Sequence, residues 1–91
     1  MDLPEAWTKA PARTLPPEVQ ALPALELPRS KALARLRYDP STRNLIAEFR
    51  NGGIYRYFGV SQEDYEKLAA SPSPGARFNE NIQPYHEFEE L

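Results

Sequence analysis

The sequence contains no cysteine and a single histidine, His86. The first absence excludes a disulfide framework and thiolate metal sites, and it fits a reducing, cytoplasmic setting. The second leaves no multi-histidine metal centre and no histidine relay within one chain. No apolar run approaches the ~20 residues that a membrane span requires. The opening stretch MDLPEAWTKAPART joins no basic leader to a continuous apolar segment, so no signal peptide is expected. Glycine is scarce, at four residues, and the pair at 52–53 is not followed by a helix with a phosphate-loop lysine. Ser61 has no base spaced to activate it and reads as a helix cap. The residues therefore point to a non-enzymatic protein without metal or cofactor.

What is present suits one small folded domain. Of the 91 residues, 41% are hydrophobic, enough to pack a core at a length where every element must contribute. Net charge is −2, yet it is unevenly spread: residues 29–56 carry a balance of +5 and residues 57–91 one of −5. Six of the ten prolines precede residue 29, and each fixes φ and removes a backbone donor. Residues 1–29 thus read as a proline-rich arm and residues 30–91 as the domain. A short helical turn is expected after Pro16–Pro17, with Glu18 at its positive end. The arm also carries Trp7, Leu15, Val19, Leu22, Leu25 and Leu27, which a solvated linker would not need.

From Lys31 onward the hydrophobic period changes to two. KALARLRYD alternates, DPSTRN is a turn, LIAEFR a second strand, NGG a tight turn and IYRYF a third strand. VSQEDYEKLAA then reads as a helix capped by Ser61, and ARFNENI as a second short one bringing Phe78 and Ile82 together. The fold expected is α+β: a three-stranded antiparallel meander over 31–59, packed on helices at about 61–70 and 75–83. A fourth strand from the arm is expected near Leu25–Leu27, and YHEFEEL closes the chain as an edge segment or a tail.

Register decides where Tyr55 and Tyr57 point. A two-residue Asn51–Gly52 turn would place Arg56 on the apolar side beside Ala47, an unpaired charge in a costly setting. A three-residue loop over 51–53, with Gly53 left-handed, pairs Phe49 with Tyr55, Ala47 with Tyr57 and Glu48 with Arg56. In the first hairpin, a four-residue loop from Pro40 to Arg43 pairs Tyr38 with Leu45, Leu36 with Ala47, Arg35 with Glu48 and Arg37 with Ile46. The inner face is then Ala34, Leu36, Tyr38, Leu45, Ala47, Phe49, Tyr55 and Tyr57. The outer face is Arg35, Arg37, Glu48, Arg50 and Arg56, with Ile46 and Phe58.

The stretch YDPSTRNLIAEFRNGGIYRYFGV, with Tyr65, Leu68, Ser73, Gly75, Phe78, Asn79 and Ile82 after it, resembles the KTSC domain. That family is named for its occurrence at the C-terminus of some lysyl-tRNA synthetases and is also found as stand-alone bacterial proteins. The resemblance spans roughly residues 30–85, and Tyr55, Tyr57, Gly75, Phe78, Asn79 and Ile82 carry its structural motif. It departs from the family pattern at Arg29-Ser30-Lys31, where small polar residues often stand, and at QPYHEFEEL, where the family is often basic. The resemblance implies no catalytic residues, and its synthetase context implies RNA binding.

Two functional classes stay open. In the first, RNA or single-stranded nucleic acid binds the outer sheet face, with Arg35, Arg37, Arg50 and Arg56 on phosphates and Phe58 stacking. In the second, a protein partner or second copy docks on the arm through Trp7, Leu15, Val19 and Leu22.

Overall fold

The computed structural model describes residues 15–91. A helical turn, α1 (Pro17–Gln20), starts on two prolines whose missing N–H groups would be unpaired there anyway. Five strands follow in one antiparallel sheet: β1 (Ala24–Glu26), β2 (Leu33–Asp39), β3 (Asn44–Phe49), β4 (Ile54–Tyr57) and β5 (Phe88–Glu90). Their order in the sheet is their order in the chain. Between β4 and β5 the chain crosses the inner face as α2 (Gln62–Ala70), α3 (Pro74–Arg77), a π-type turn over Phe78–Ile82 and a 3-10 turn over Gln83–Tyr85. The three-stranded meander is thus joined by the strand expected from the arm, at Ala24–Glu26, and by an edge strand from the YHEFEEL segment.

The β2–β3 hairpin has the expected register, with Tyr38 opposite Leu45 and Arg35 opposite Glu48. A bulge between Leu33 and Arg35 breaks the alternation, so the fully buried residue at this end is Leu33, not Ala34. The β3–β4 register differs from expectation by two residues: Ala47 faces Tyr55, Leu45 faces Tyr57 and Ile46 faces Arg56. Gly52, at φ +95°, takes the left-handed position in place of Gly53, so the turn begins one residue earlier. The Phe49 N–H donates to Gly53 O at 2.8 Å and the Gly52 N–H to Phe49 O at 3.0 Å. A slip of two leaves every side chain on its expected face, so the tyrosines still point inward.

Ser61 caps α2, its hydroxyl accepting from the Asp64 N–H at 3.1 Å. The helix buries Leu68 and stacks Tyr65 on Tyr38, ring centroids 4.7 Å apart and nearly parallel. After α3 the helix widens, with the Gln83 N–H donating to Phe78 O, and Pro84 has no N–H to continue the ladder. Phe78 and Ile82 are thereby both buried. Phe78 is the hub of the core, edge-on to Tyr57 at 5.0 Å and to Phe49 at 5.7 Å.

Tyr57 is 3% exposed, so Tyr57→Ala should cost about 3 kcal/mol by chemical denaturation, in line with aromatic core truncations. Burial raises the phenol pKa of Tyr38, Tyr57 and Tyr65 above the ordinary 10.0, with the neighbouring Tyr55 adding to the shift at Tyr57. Each folded-state value is raised, so their contribution to stability is full below the ordinary tyrosine value and lost as pH rises through the shifted ones. Denaturation midpoints should fall on going above pH ~10, and Tyr65→Phe should flatten that fall. An unchanged profile in Tyr65→Phe would mean that this hydroxyl is not held neutral by the fold.

Candidate nucleic-acid interface

The outer sheet face is covered and charge-compensated. Glu48, 7% exposed, accepts from Arg35 Nη1 at 2.8 Å with one oxygen and from Arg37 Nε at 2.9 Å with the other. The second guanidinium edge of each arginine turns to the arm: Arg35 to Glu26 at 2.9 Å, Arg37 to Leu22 O at 3.1 Å. Hydrogen bonds to the two carboxylates hold the Arg35 pKa above its ordinary range. Arg56 does not meet Glu48 as expected. The register slip places it opposite Ile46, where Glu89 of β5 takes it at 2.6 Å and Glu18 of α1 approaches to 3.8 Å. Arg50 donates to Leu27 O at 2.6 Å and Ser30 O at 2.8 Å. The four arginines expected to form an open cationic surface are thus engaged within the domain, and the Arg37 and Arg56 side chains are 15% and 19% exposed.

The same contacts account for the arm. Val19 is 2% exposed and Ile46 1%, and Arg37 and Arg56 flank Ile46 while holding Leu22 and Glu18 on either side of Val19 in sequence. Leu15 and Leu22 are half-buried, and Leu27 belongs to the main core. Of the residues proposed to grip a partner, Leu15, Val19 and Leu22 therefore pack in cis, and Trp7 lies outside the described residues. Phe58 sits at the rim, 37% exposed, its carbonyl 2.9 Å from His86 Nδ1.

The open surface lies on the inner side, at the β3–β4 end. There Phe49, Tyr55, Tyr57 and Phe88 line a shallow cavity of about 270 Å³ with Asn51 and Gln83. Tyr55 stands edge-on to both Phe49 and Phe88, each at 5.7 Å. Phe88 is 53% exposed and nearby in sequence Tyr85 is 74% exposed. Gly53 makes the shelf possible, because a Cβ there would fall 3.0 Å from the Tyr55 ring. The tyrosine pair thus divides its work: Tyr57 is core, and Tyr55 is the inner wall of an aromatic shelf. Of the other motif residues, Phe78 and Ile82 are core, while Gly75 and Asn79 line a separate cleft.

Sequence reasoning missed Phe88, Gln83 and Tyr85. The available signal was the alternation in HEFEE, a lone aromatic between acids that suits a strand with one face on a core. It counted Arg29 and Lys31 in the charge balance but did not name them as binding residues; with Arg43 and Arg77 they make no ion pair among the described residues. No group of three or more potential metal ligands occurs among the described residues, and no helix there is long and apolar enough to cross a membrane.

Comparison with known proteins agrees with this architecture. The family model for the KTSC domain matches residues 29–88. A lysine–tRNA ligase of Nostoc sp. (strain PCC 7120) is 36% identical over 74 residues, 81% of this chain but 13% of the ligase. An uncharacterised protein of Stutzerimonas stutzeri (strain A1501) is 38% identical over 58 residues, covering 64% of this chain and 82% of that protein. The crystal structure of a KTSC domain protein from Yersinia pestis superposes with a TM-score of 0.73 at 25% identity, over 78% of this chain and 99% of that one. The chain belongs to the KTSC domain family.

Proposed function

We propose that this chain is a non-enzymatic module that binds single-stranded RNA, with bases stacking on the shelf of Tyr55 and Phe88. The observation that carries the reading is the exposed aromatic cluster itself. A solvated end of a small domain has no need of an aromatic side chain at 53% exposure, Phe88, packed edge-on against a second ring, Tyr55, that is half-buried. Every base has a π-face, and stacking on such rings tolerates any sequence. The amide of Gln83, on the same surface, offers a donor and an acceptor to a base edge. Arg29, Lys31 and Arg77 have no carboxylate partners among the described residues and are available to phosphates. Kinship with a segment of lysine–tRNA ligases, enzymes named for a tRNA substrate, supports the RNA reading over other anions. The absence of cysteine suits action in the cytoplasm. Assembly through the arm has less support, because Val19 and Leu27 are already buried in their own domain.

The test is fluorescence anisotropy with a labelled single-stranded RNA of about eight nucleotides at low and high salt, within the usual range of site sizes. Phe88→Ala should weaken binding about tenfold, given the usual contribution of one stacked base. Arg37→Ala should reduce stability and leave the affinity of the folded fraction nearly unchanged. Absence of binding by the parent at low salt, or equal affinity in Phe88→Ala, would refute the proposal. A molecular mass that rises with protein concentration and falls in Phe88→Ala would assign the shelf to self-association instead.

A further inference from the structure

We propose that the cleft between the β1–β2 loop and the segment Pro72–Asn79 is a phosphate site. It is a separate cavity of about 370 Å³, within the size range of small-molecule pockets. Two of its lining residues, Arg29 and Lys31, are exposed cations, and no acidic residue lines it. This sets it apart from the outer face, where Arg35, Arg37 and Arg56 each have a carboxylate. Ser73 and Asn79 add a hydroxyl and an amide whose side chains make no hydrogen bond among the described residues.

The loop bearing the cations is held firmly. Arg50 reaches across from the β3–β4 turn to the carbonyls of Leu27 and Ser30, and its backbone N–H donates to Ala32 O at 2.8 Å. Within the loop, the Ser30 N–H donates to Leu27 O and the Leu33 N–H to Ser30 Oγ, both at 3.1 Å. The opposite wall is pinned where Ser71 Oγ accepts from the Ser73 N–H at 3.0 Å. Such a loop presents its charges with little ordering left to do on binding. Gly75 faces Ser30, whose Oγ would lie 3.4 Å from a Cβ at that position, so any longer side chain would project across the gap.

The cleft and the aromatic shelf meet at the same end of the molecule. Asn79 lines the one and Gln83 the other, a single turn apart along the π-type segment, while Phe49 packs on the shelf and the adjacent Arg50 fixes the cleft loop. The ligand class is therefore a nucleotide phosphate, a backbone group of the strand whose base sits on the shelf. In that identification the inference rests on the RNA reading. Its test does not.

Inorganic pyrophosphate, titrated against chloride at matched ionic strength, should shift the backbone amide resonances of Lys31, Ala32, Ser73 and Gly75. The double variant Arg29→Ala/Lys31→Ala should lose those shifts and keep its fold, since both side chains are exposed. Arg43→Asn should retain them. It removes a cation at the far hairpin, where φ of 63° suits asparagine. With RNA, the double variant should lower the log–log salt slope by about 1.4, two phosphate contacts at ~0.7 each for a single strand. Shifts absent from the cleft, or spread equally over all cations, would overturn the phosphate site even if RNA binds. Pyrophosphate shifts at the cleft without RNA binding by the parent would uphold the phosphate site and remove the RNA reading.

Discussion

A carboxylate held out of water on the outer face of the central strand sets the terms for much of this domain. Glu48 is the one charged residue that is buried among the described residues, and it carries two guanidinium groups, one per oxygen. A buried carboxylate without partners would be strongly unfavourable, so Arg35 and Arg37 are bound to it by necessity. Their remaining donors then require acceptors, and the arm supplies them at Glu26 and Leu22 O. Glu48 thus ties Arg35 and Arg37 to the arm, while Glu89, Glu18 and the carbonyls of Leu27 and Ser30 engage Arg56 and Arg50. A pair of this kind adds less to net stability than to definition, because it fixes how β1 and α1 lie on the sheet.

Most of the fold was legible because its strongest signals are periodic. Alternation in β2 and β3 fixed both faces, and a serine three residues before Asp64 announced the cap of α2. The register error at β3–β4 came from two adjacent glycines, either of which can adopt positive φ. What distinguishes them is tertiary. Beginning the turn at Arg50 releases its side chain to bond Leu27 O and Ser30 O, and Asn51 Oδ1 accepts from the Gly53 N–H at 2.9 Å. The slip was harmless to the faces because it was even. The bulge at Leu33 was not harmless: it exchanged Leu33 for Ala34 in the core, and no local residue pattern announces it.

The candidate site was less legible for a related reason. Counting charge along residues 29–56 finds an excess of arginine, but the compensating carboxylates come from residues 18, 26 and 89, outside that window. Partners brought by a strand from each end of the chain are invisible to a local balance. Phe88 was hidden likewise, since its environment exists only once β5 pairs with β4 and places it over Tyr55 and Tyr57. Within the motif, the residues legible as core (Tyr57, Phe78, Ile82) are those whose role depends on periodicity. Gly75 and Asn79 gain meaning only from what faces them.

Arginine does two different jobs here, and the division explains where binding can occur. Where its fork meets carboxylates or carbonyls it acts as a structural clasp, its planar donors matched to fixed acceptors. Arg50 is the informative case, because it is exposed and yet bonded to two carbonyls. By gripping the loop from Leu27 to Ala32, it fixes the backbone that carries Arg29 and Lys31. Arg29 and Lys31, which make no ion pair among the described residues, stand at the end where Phe49, Tyr55 and Phe88 gather, whereas Arg43, also without an ion pair there, sits at the opposite hairpin. Charge paired across one face and left unpaired at the hairpin ends gives an uneven distribution that the near-zero net charge conceals. That distribution is a property of the folded chain, because it depends on carboxylates that strands from both ends of the sequence bring to the broad face of the sheet.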